Sequence, residues 1–330
     1  MSDMRDIIRH QAEHIRTSLA VNQNVRVEGN FDAIILVGMG GSGHAGDLLN
    51  MLNLPQVPLS IHRDYDLPHL PVAHNPLVII SSYSGNTEES LSAYRAAQAA
   101  GYQILSSASG GKVAEWSKRD GVPLATIAFP EMQPRHTLFA SFVGIATALK
   151  NSGLAHDVTA DLERTAQVLD KTIGDLEEPA QSLAAKLKGS TPVYTSSALL
   201  SFAAKNFKIQ TNENAKTPAF WSEFPELNHN EMVGFTTPQG KFHVVMLRDD
   251  DDHPRTRARM NITAGLYEEW GVPVTNFTAT GTTRLEKIFQ AVIFGLWTTY
   301  HLAQAYGIDP MPVAGVEKFK KQLVEQVGEV

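Results

Sequence analysis

The sequence predicts an α/β protein built from two tandem, doubly wound parallel-sheet domains and closed by a C-terminal helical tail. Three observations predict it. Short continuous apolar runs alternate with amphipathic helical patterns, as in a parallel sheet covered on both faces. The second half repeats the pattern of the first at an offset of roughly 160 to 170 residues, the size of one α/β domain. The chain has 330 residues, 43% hydrophobic and 19% charged, enough for two domains with separate cores.

Residues 1–30 read as an N-terminal helical segment. The first domain, 31–153, opens on the strand "AIILV", Ala33 to Val37, followed by the glycine turn "GMGGSG" and a helix. A strand over Val57 to His62 comes next, then Leu77 to Ile80, and a helix over Glu88 to Ala100 with Leu91, Tyr94 and Ala97 at helical spacing. Further strands are expected at Tyr102 to Ser106 and Leu124 to Ala128. Residues 154–190 read as a helical connector, because Asp157 to Lys188 carries few turn signals. The second domain, 191–306, repeats the first: "PVYTSSALLSFAAKNFKIQTNEN" is again strand, turn and helix. Likewise "FHVVMLRDDDDHPRTRARMNITAGLYEEWGV" parallels "PLVIISSYSGNTEESLSAYRAAQAAGY". The tail, 307–330, is amphipathic around "VEKFKKQLVEQV" and is expected to close the site.

A net charge of -7 and a pI near 5.9 argue against nucleic acid as a partner, since phosphate backbones attract basic surfaces. A small anion remains compatible with that charge, because a few local donors suffice to hold it. Cysteine is absent, which excludes disulfides, thiolate metal sites and cysteine nucleophiles and suits a reducing compartment. There is no apolar signal-peptide core and no run of bilayer-spanning length, so the expected location is cytoplasmic, away from membranes.

Two loops carry the chemistry. Gly38, Gly40 and Gly43 satisfy G-x-G-x-x-G after a strand, and Asp64 and Asp66 follow about twenty residues on, so a dinucleotide fold stays open on this motif alone. The second loop decides between ligands. Ser81, Ser82, Ser84 and Thr87 crowd hydroxyls directly after the apolar run Leu77 to Ile80, where a turn would need only Gly85 and Asn86. Ligands of open parallel sheets bind beyond the carboxyl ends of the strands, next to helix N-termini that favour anions. Gly41, Ser42 and the Ser82–Thr87 loop together form a cage for one phosphate monoester; a dinucleotide would have no use for the second loop. Ser84 or Thr87 is also expected to cap the following helix, with Glu88 in its first turn.

Other candidates lie further on. Glu213 in "TNENAK" and His229 in "ELNHNEMVGF" supply groups able to move protons near neutral pH, and Arg135 in "PEMQPRHTLF" supplies a permanent cation suited to a developing oxyanion. His10 and His14, four apart on a helix, have no third metal ligand nearby and read as part of a solvated face. Asp249 to Asp252 lack the spacing of a calcium loop and read as neutralised by Arg255, Arg257 and Arg259. No G-x-S-x-G elbow occurs.

Taken in order, "GMGGSG", "SYSGNT", "PR" before a helix, "NENAK", "NHNEMVG" and "FKKQL" resemble the bifunctional phosphoglucose/phosphomannose isomerases, members of the sugar-isomerase (SIS) superfamily of phosphosugar-binding domains. The resemblance runs from about Asp32 to Leu323. It implies two SIS-type domains, a homodimer, no metal or other cofactor, and interconversion of fructose 6-phosphate with glucose 6-phosphate and mannose 6-phosphate through a cis-enediolate. It implies Gly41, Ser42, Ser82, Ser84 and Thr87 as the phosphate cradle, Glu213 as the base moving a proton between C2 and C1, and Arg135 as the oxyanion stabiliser. It also implies that His229, reaching in from the neighbouring subunit, and Lys320 of the tail assist ring opening. One departure stands out: bifunctional members carry a threonine shortly before the tail lysine, and here Val313 lies near that place, which weakens the mannose half of the expectation. The competing readings are a non-catalytic phosphosugar sensor, since SIS domains also serve as binding modules, and an NAD-dependent oxidoreductase built on the glycine turn.

Overall fold

The structure, a computed structural model, describes residues 3–69 and 75–328. The chain forms two compact units, one of His10–Ala166 with Ala314–Val330, the other of Asp3–Arg9 with Gln167–Val313. In chain order, α1 (Met4–Arg9) and α2 (Gln11–Asn22) precede β1 (Ala33–Val37), α3 (Gly40–Met51) and β2 (Leu59–His62). Then come β3 (Pro76–Ser81), α4 (Glu88–Ala99), β4 (Ile104–Ala108), α5 (Gly111–Asp120), β5 (Leu124–Thr126) and α6 (Leu138–Asn151). The chain crosses into the second unit within α7 (Thr159–Thr172), continuing through α8 (Glu177–Leu187), β6 (Thr191–Ser197), α9 (Ser201–Asn214) and β7 (Phe220–Phe224). It ends with β8 (Phe242–Arg248), α10 (Pro254–Glu269), β9 (Val274–Thr278), α11 (Arg284–Tyr306) and α12 (Ala314–Val327), the last returning to the first unit.

The first unit holds a five-stranded parallel sheet in the order β2-β1-β3-β4-β5. Every residue of β1 and β3 is buried, which is why both read as unbroken apolar runs rather than alternating ones. On one face Ile35, Val37, Val78 and Ile80 pack against Leu91, Tyr94 and Ala97 of α4 and Val113 of α5. Each of the Ile, Val and Leu side chains among them contributes about 1.5–3 kcal/mol on burial. The helix α6 is buried from Leu138 to Leu149 and packs with α2 and α3.

The second unit repeats the arrangement with four parallel strands, β7-β6-β8-β9, matching β2-β1-β3-β4 position by position. Its centre is α11, started by a reciprocal capping box between Thr283 and Glu286 and stopped at Gly307 in the left-handed conformation. The fully buried Trp297 donates its indole N–H to the Ile173 carbonyl at 2.9 Å.

Several elements differ from expectation. The strand expected at Tyr102 to Ser106 begins at Ile104, because Gly101 turns with positive φ and Tyr102 N–H bonds back to Ala97 O. The strand at Leu124 stops at Thr126, whose N–H and carbonyl are taken by the Asn22 side chain at 2.7 and 3.1 Å. The helical stretch from Asp157 to Lys188 is two helices, interrupted by a turn in which Asp175 N–H bonds to Thr172 O.

Candidate active site

Val37 pairs with Ile80 in register, so the loops leaving the carboxyl ends of β1 and β3 emerge side by side. The Ser42 hydroxyl accepts from Tyr83 N–H at 3.1 Å, and its carbonyl accepts from the Ser81 hydroxyl at 3.0 Å, which stitches the two loops together. Ser82 donates to the Thr87 hydroxyl at 2.9 Å, and Ser84 accepts from Asn86 N–H at 3.3 Å. Neither α3 nor α4 has a side-chain cap at its N-terminus. The expected cap from Ser84 or Thr87 is therefore a correction: Thr87 occupies the N-cap position but its hydroxyl is engaged by Ser82 instead. The two helix starts keep their favourable field for an anion.

Gly85 has φ +67°, and a Cβ there would meet Gly110 O at 1.9 Å, so only glycine lets this loop lie against the one following β4. The contact is secured by Val113 N–H to Gly85 O at 3.0 Å and Lys112 N–H to the Asn86 side-chain oxygen at 3.0 Å.

Arg135 lies on a short 3-10 turn, Pro134–His136, just before α6 and is 3% exposed. This turn rests on the glycine loop: a Cβ on Gly41 would meet Pro134 O at 2.9 Å and Arg135 Cα at 3.3 Å. The first unit therefore brings Gly41, Ser42, Ser82, Ser84, Thr87 and Arg135 into one neighbourhood. Sequence reasoning passed over Tyr83, buried among these residues, with its phenol bonded to Phe129 and Met132. Burial raises the phenol's pKa, keeping it a protonated donor. An aromatic placed inside a run of hydroxyls was the available signal.

In the second unit Glu213 stands half-buried in the last turn of α9, the counterpart of α3. Lys216, in the left-handed conformation at φ 53°, donates its ammonium to the Glu213 carbonyl and, at 3.3 Å, to the Pro310 carbonyl. A cation on the last carbonyls of a helix suits the helix dipole. Buried Asn214 donates to both Gln210 and Thr299 at 2.9 Å, anchoring the same helix end. His229 is exposed at the end of the 3-10 turn Glu226–His229. Its flanking asparagines fix that turn: Asn228 donates to Thr263 at 2.8 Å and Asn230 to Glu226 at 3.0 Å. Glu213 and His229 thus stand on separate elements of the unit.

Lys320 is exposed on α12 and pairs at 2.9 Å with Glu317, one turn back. Among the described residues it bonds to none of the side chains above. The acidic run after β8 is neutralised only in part as expected: Arg257 bonds the Asp250 carbonyl and acts electrostatically on Asp252, while Lys287 of α11 bridges Asp249 and Asp251. Where the first unit has a loop of hydroxyls, the second has carboxylates closed by their own lysine.

Residues 176–323 match the family model described as the bacterial phospho-glucose isomerase C-terminal SIS domain. The bifunctional phosphoglucose/phosphomannose isomerase of Caldicellulosiruptor bescii is 36% identical over 318 residues, covering 92% of this chain and 93% of that protein. Its namesake in Aquifex aeolicus is 32% identical, covering 89% and 91%. Among solved structures, tagatose-6-phosphate ketose/aldose isomerase from Escherichia coli superposes with a TM-score of 0.70 at 17% identity, covering 93% of this chain and 94% of that one, a likeness of fold. With a fold of this kind and relatives matched along nearly their whole length, the chain belongs to the bifunctional phosphoglucose/phosphomannose isomerase family.

Proposed function

We propose that this protein is a metal-independent aldose–ketose isomerase that interconverts glucose 6-phosphate, and with it mannose 6-phosphate, with fructose 6-phosphate through a cis-enediolate. The observation that carries the reading is the joined pair of loops with Arg135 beside them, in a chain of this family. The hydrogen bonds within the loops suit a phosphate. Ser42 and Ser84 accept from backbone N–H groups, and Thr87 accepts from Ser82, so each of the three retains its hydroxyl proton to donate to a phosphate oxygen. Ser82 spends its own proton on Thr87 and so acts by orienting it. The backbone of Gly41 and the two uncapped helix starts add donors and field.

In the proposed reaction the Glu213 carboxylate removes the C2 proton of the open-chain aldose. The electron pair forms the C1–C2 double bond and the carbonyl electrons pass to O1. Arg135 stabilises that oxyanion, the O2 hydroxyl proton passes to O1, and Glu213 returns the carbon-bound proton to C1 as O2 becomes the ketone. Removal of a weakly acidic C–H needs base and oxyanion stabiliser together; the first contributes about 10²–10⁴-fold and one oxyanion donor about 10²–10³-fold. His229 and Lys320 assist ring opening, His229 acting in the site of a second copy in a homodimer. Its exposed place on a turn held by two asparagines fits a group presented outward.

Glu213→Gln is expected to lower kcat by about 10²–10⁴-fold with little change in KM. Near-native turnover in that variant would remove Glu213 from the role. Mixing Glu213→Gln with His229→Ala protein, after verified subunit exchange, should recover activity through one intact composite site per mixed dimer. No recovery would place His229 in its own subunit's site.

A further inference from the structure

We propose that Tyr83 is a positioning residue for Arg135, coupling the hydroxyl loop to the turn that carries the guanidinium. The inference rests on the isomerase reading above and gives a role to a residue which that reading leaves idle.

Tyr83 is 6% exposed and commits every polar group it has. Its N–H donates to the Ser42 hydroxyl at 3.1 Å. Its carbonyl accepts from Ser109, from N–H at 3.0 Å and from the hydroxyl at 2.7 Å. Its phenol donates to Phe129 O at 2.7 Å and accepts from Met132 N–H at 2.9 Å. The ring packs against Ile127, Ala140, Phe129 and Met132. The backbone of Tyr83 therefore belongs to the hydroxyl loop, while its phenol grips a different part of the chain.

That second grip bears on Arg135. Between the end of β5 at Thr126 and the turn at Pro134 the chain has no helix or strand. An irregular segment has many conformers to choose from, and something must select one. The phenol oxygen ties Phe129 to Met132 across the bend, and Gln133 and the Pro134–His136 turn follow at once. On its other side that turn lies on Gly41. Arg135 is thus set between a glycine that lets the turn approach and a phenol that fixes where the turn begins. Its position is referenced to Ser42 at both points, through the glycine loop and through Tyr83. Such a coupling would keep the oxyanion stabiliser at a fixed offset from the bound phosphate, and misplacement by about 1 Å can cost about 10²-fold in rate.

Tyr83→Phe isolates the proposal, because the ring packing and all backbone bonds to Ser42 and Ser109 are retained and only the phenol oxygen is lost. The measurements are kcat, KM and the inhibition constant of inorganic phosphate for Tyr83→Phe, Arg135→Gln and the double variant. The expected result is a fall in kcat of about tenfold or more for Tyr83→Phe, with KM and phosphate inhibition within about twofold of the parent. In the Arg135→Gln background the same change should cost little, since the group being positioned is gone. An unchanged kcat in Tyr83→Phe, a loss confined to KM and phosphate inhibition, or an equal loss in both backgrounds would each overturn the coupling while leaving the role of Arg135 intact. A native kcat in Arg135→Gln would instead overturn the oxyanion assignment, and this inference with it.

Discussion

At Gly41 the absence of one carbon lets two parts of the proposed site meet. Its φ is not in the left-handed region, so backbone freedom is not the reason for glycine there; the nearby Pro134 carbonyl is. A carbonyl oxygen of the main chain cannot rotate aside as a flexible side chain can, so Gly41→Ala must push the Arg135 turn away. We expect a stability cost of about 1–3 kcal/mol. We expect kcat to fall by about tenfold or more, with phosphate inhibition less affected, because Ser84 and Thr87, two of the three hydroxyl donors, lie on the other loop. A Gly41→Ala enzyme with native kcat would show that the turn tolerates displacement. Residues of this kind were only partly legible in the sequence. The hydroxyls of "SSYSGNT" announced themselves by their surplus, but their division of labour did not. Thr87 sits where a cap belongs, and only the structure reveals that Ser82 has claimed its hydroxyl. Tyr83 was missed because its phenol's partners lie 46 and 49 residues away along the chain.

Legibility at the level of elements follows burial. β1 and β3 are buried on both faces, so composition alone located them to within a residue or two. β7 went unrecognised because it is an edge strand with Phe220 and Trp221 exposed, leaving neither an apolar run nor an alternation to detect. The bridging partner of the Asp249–Asp252 run, Lys287, comes from α11, out of reach of any local pattern. One helix also carries a pH dependence. His14 of α2, expected on a solvated face, is instead buried with its ring 4.2 Å from that of Phe129, and burial, with His10 adding repulsion, lowers its pKa from 6.5 to about 4. The folded protein thus holds His14 neutral where the unfolded chain would protonate it. Its contribution to stability is intact above pH 6.5 and is lost progressively as pH falls from 6.5 toward about 4. The loss is on the order of 3 kcal/mol at the acid end. Thermal unfolding midpoints from pH 7 down to 4 should fall more steeply for the parent than for His14→Gln. Parallel curves would contradict the assignment.

Across the whole molecule, the repeated strand order of the two units matches the repeat visible in the sequence, although little identity survives between the halves. The same topological position has diverged in chemistry: hydroxyls and a glycine after β3, carboxylates and a bridging lysine after β8. That asymmetry supports the proposed phosphate cradle in the first unit. Val313, half-buried ahead of α12, makes the mannose branch the more sensitive test of how the site treats the C2 epimer. The most direct measurement is proton NMR of fructose 6-phosphate incubated with the enzyme in D₂O containing EDTA. The account predicts glucose 6-phosphate carrying deuterium at C2, with mannose 6-phosphate appearing beside it more slowly. Binding of the sugar without aldose formation or deuterium entry would contradict it and leave a phosphosugar-binding protein in its place.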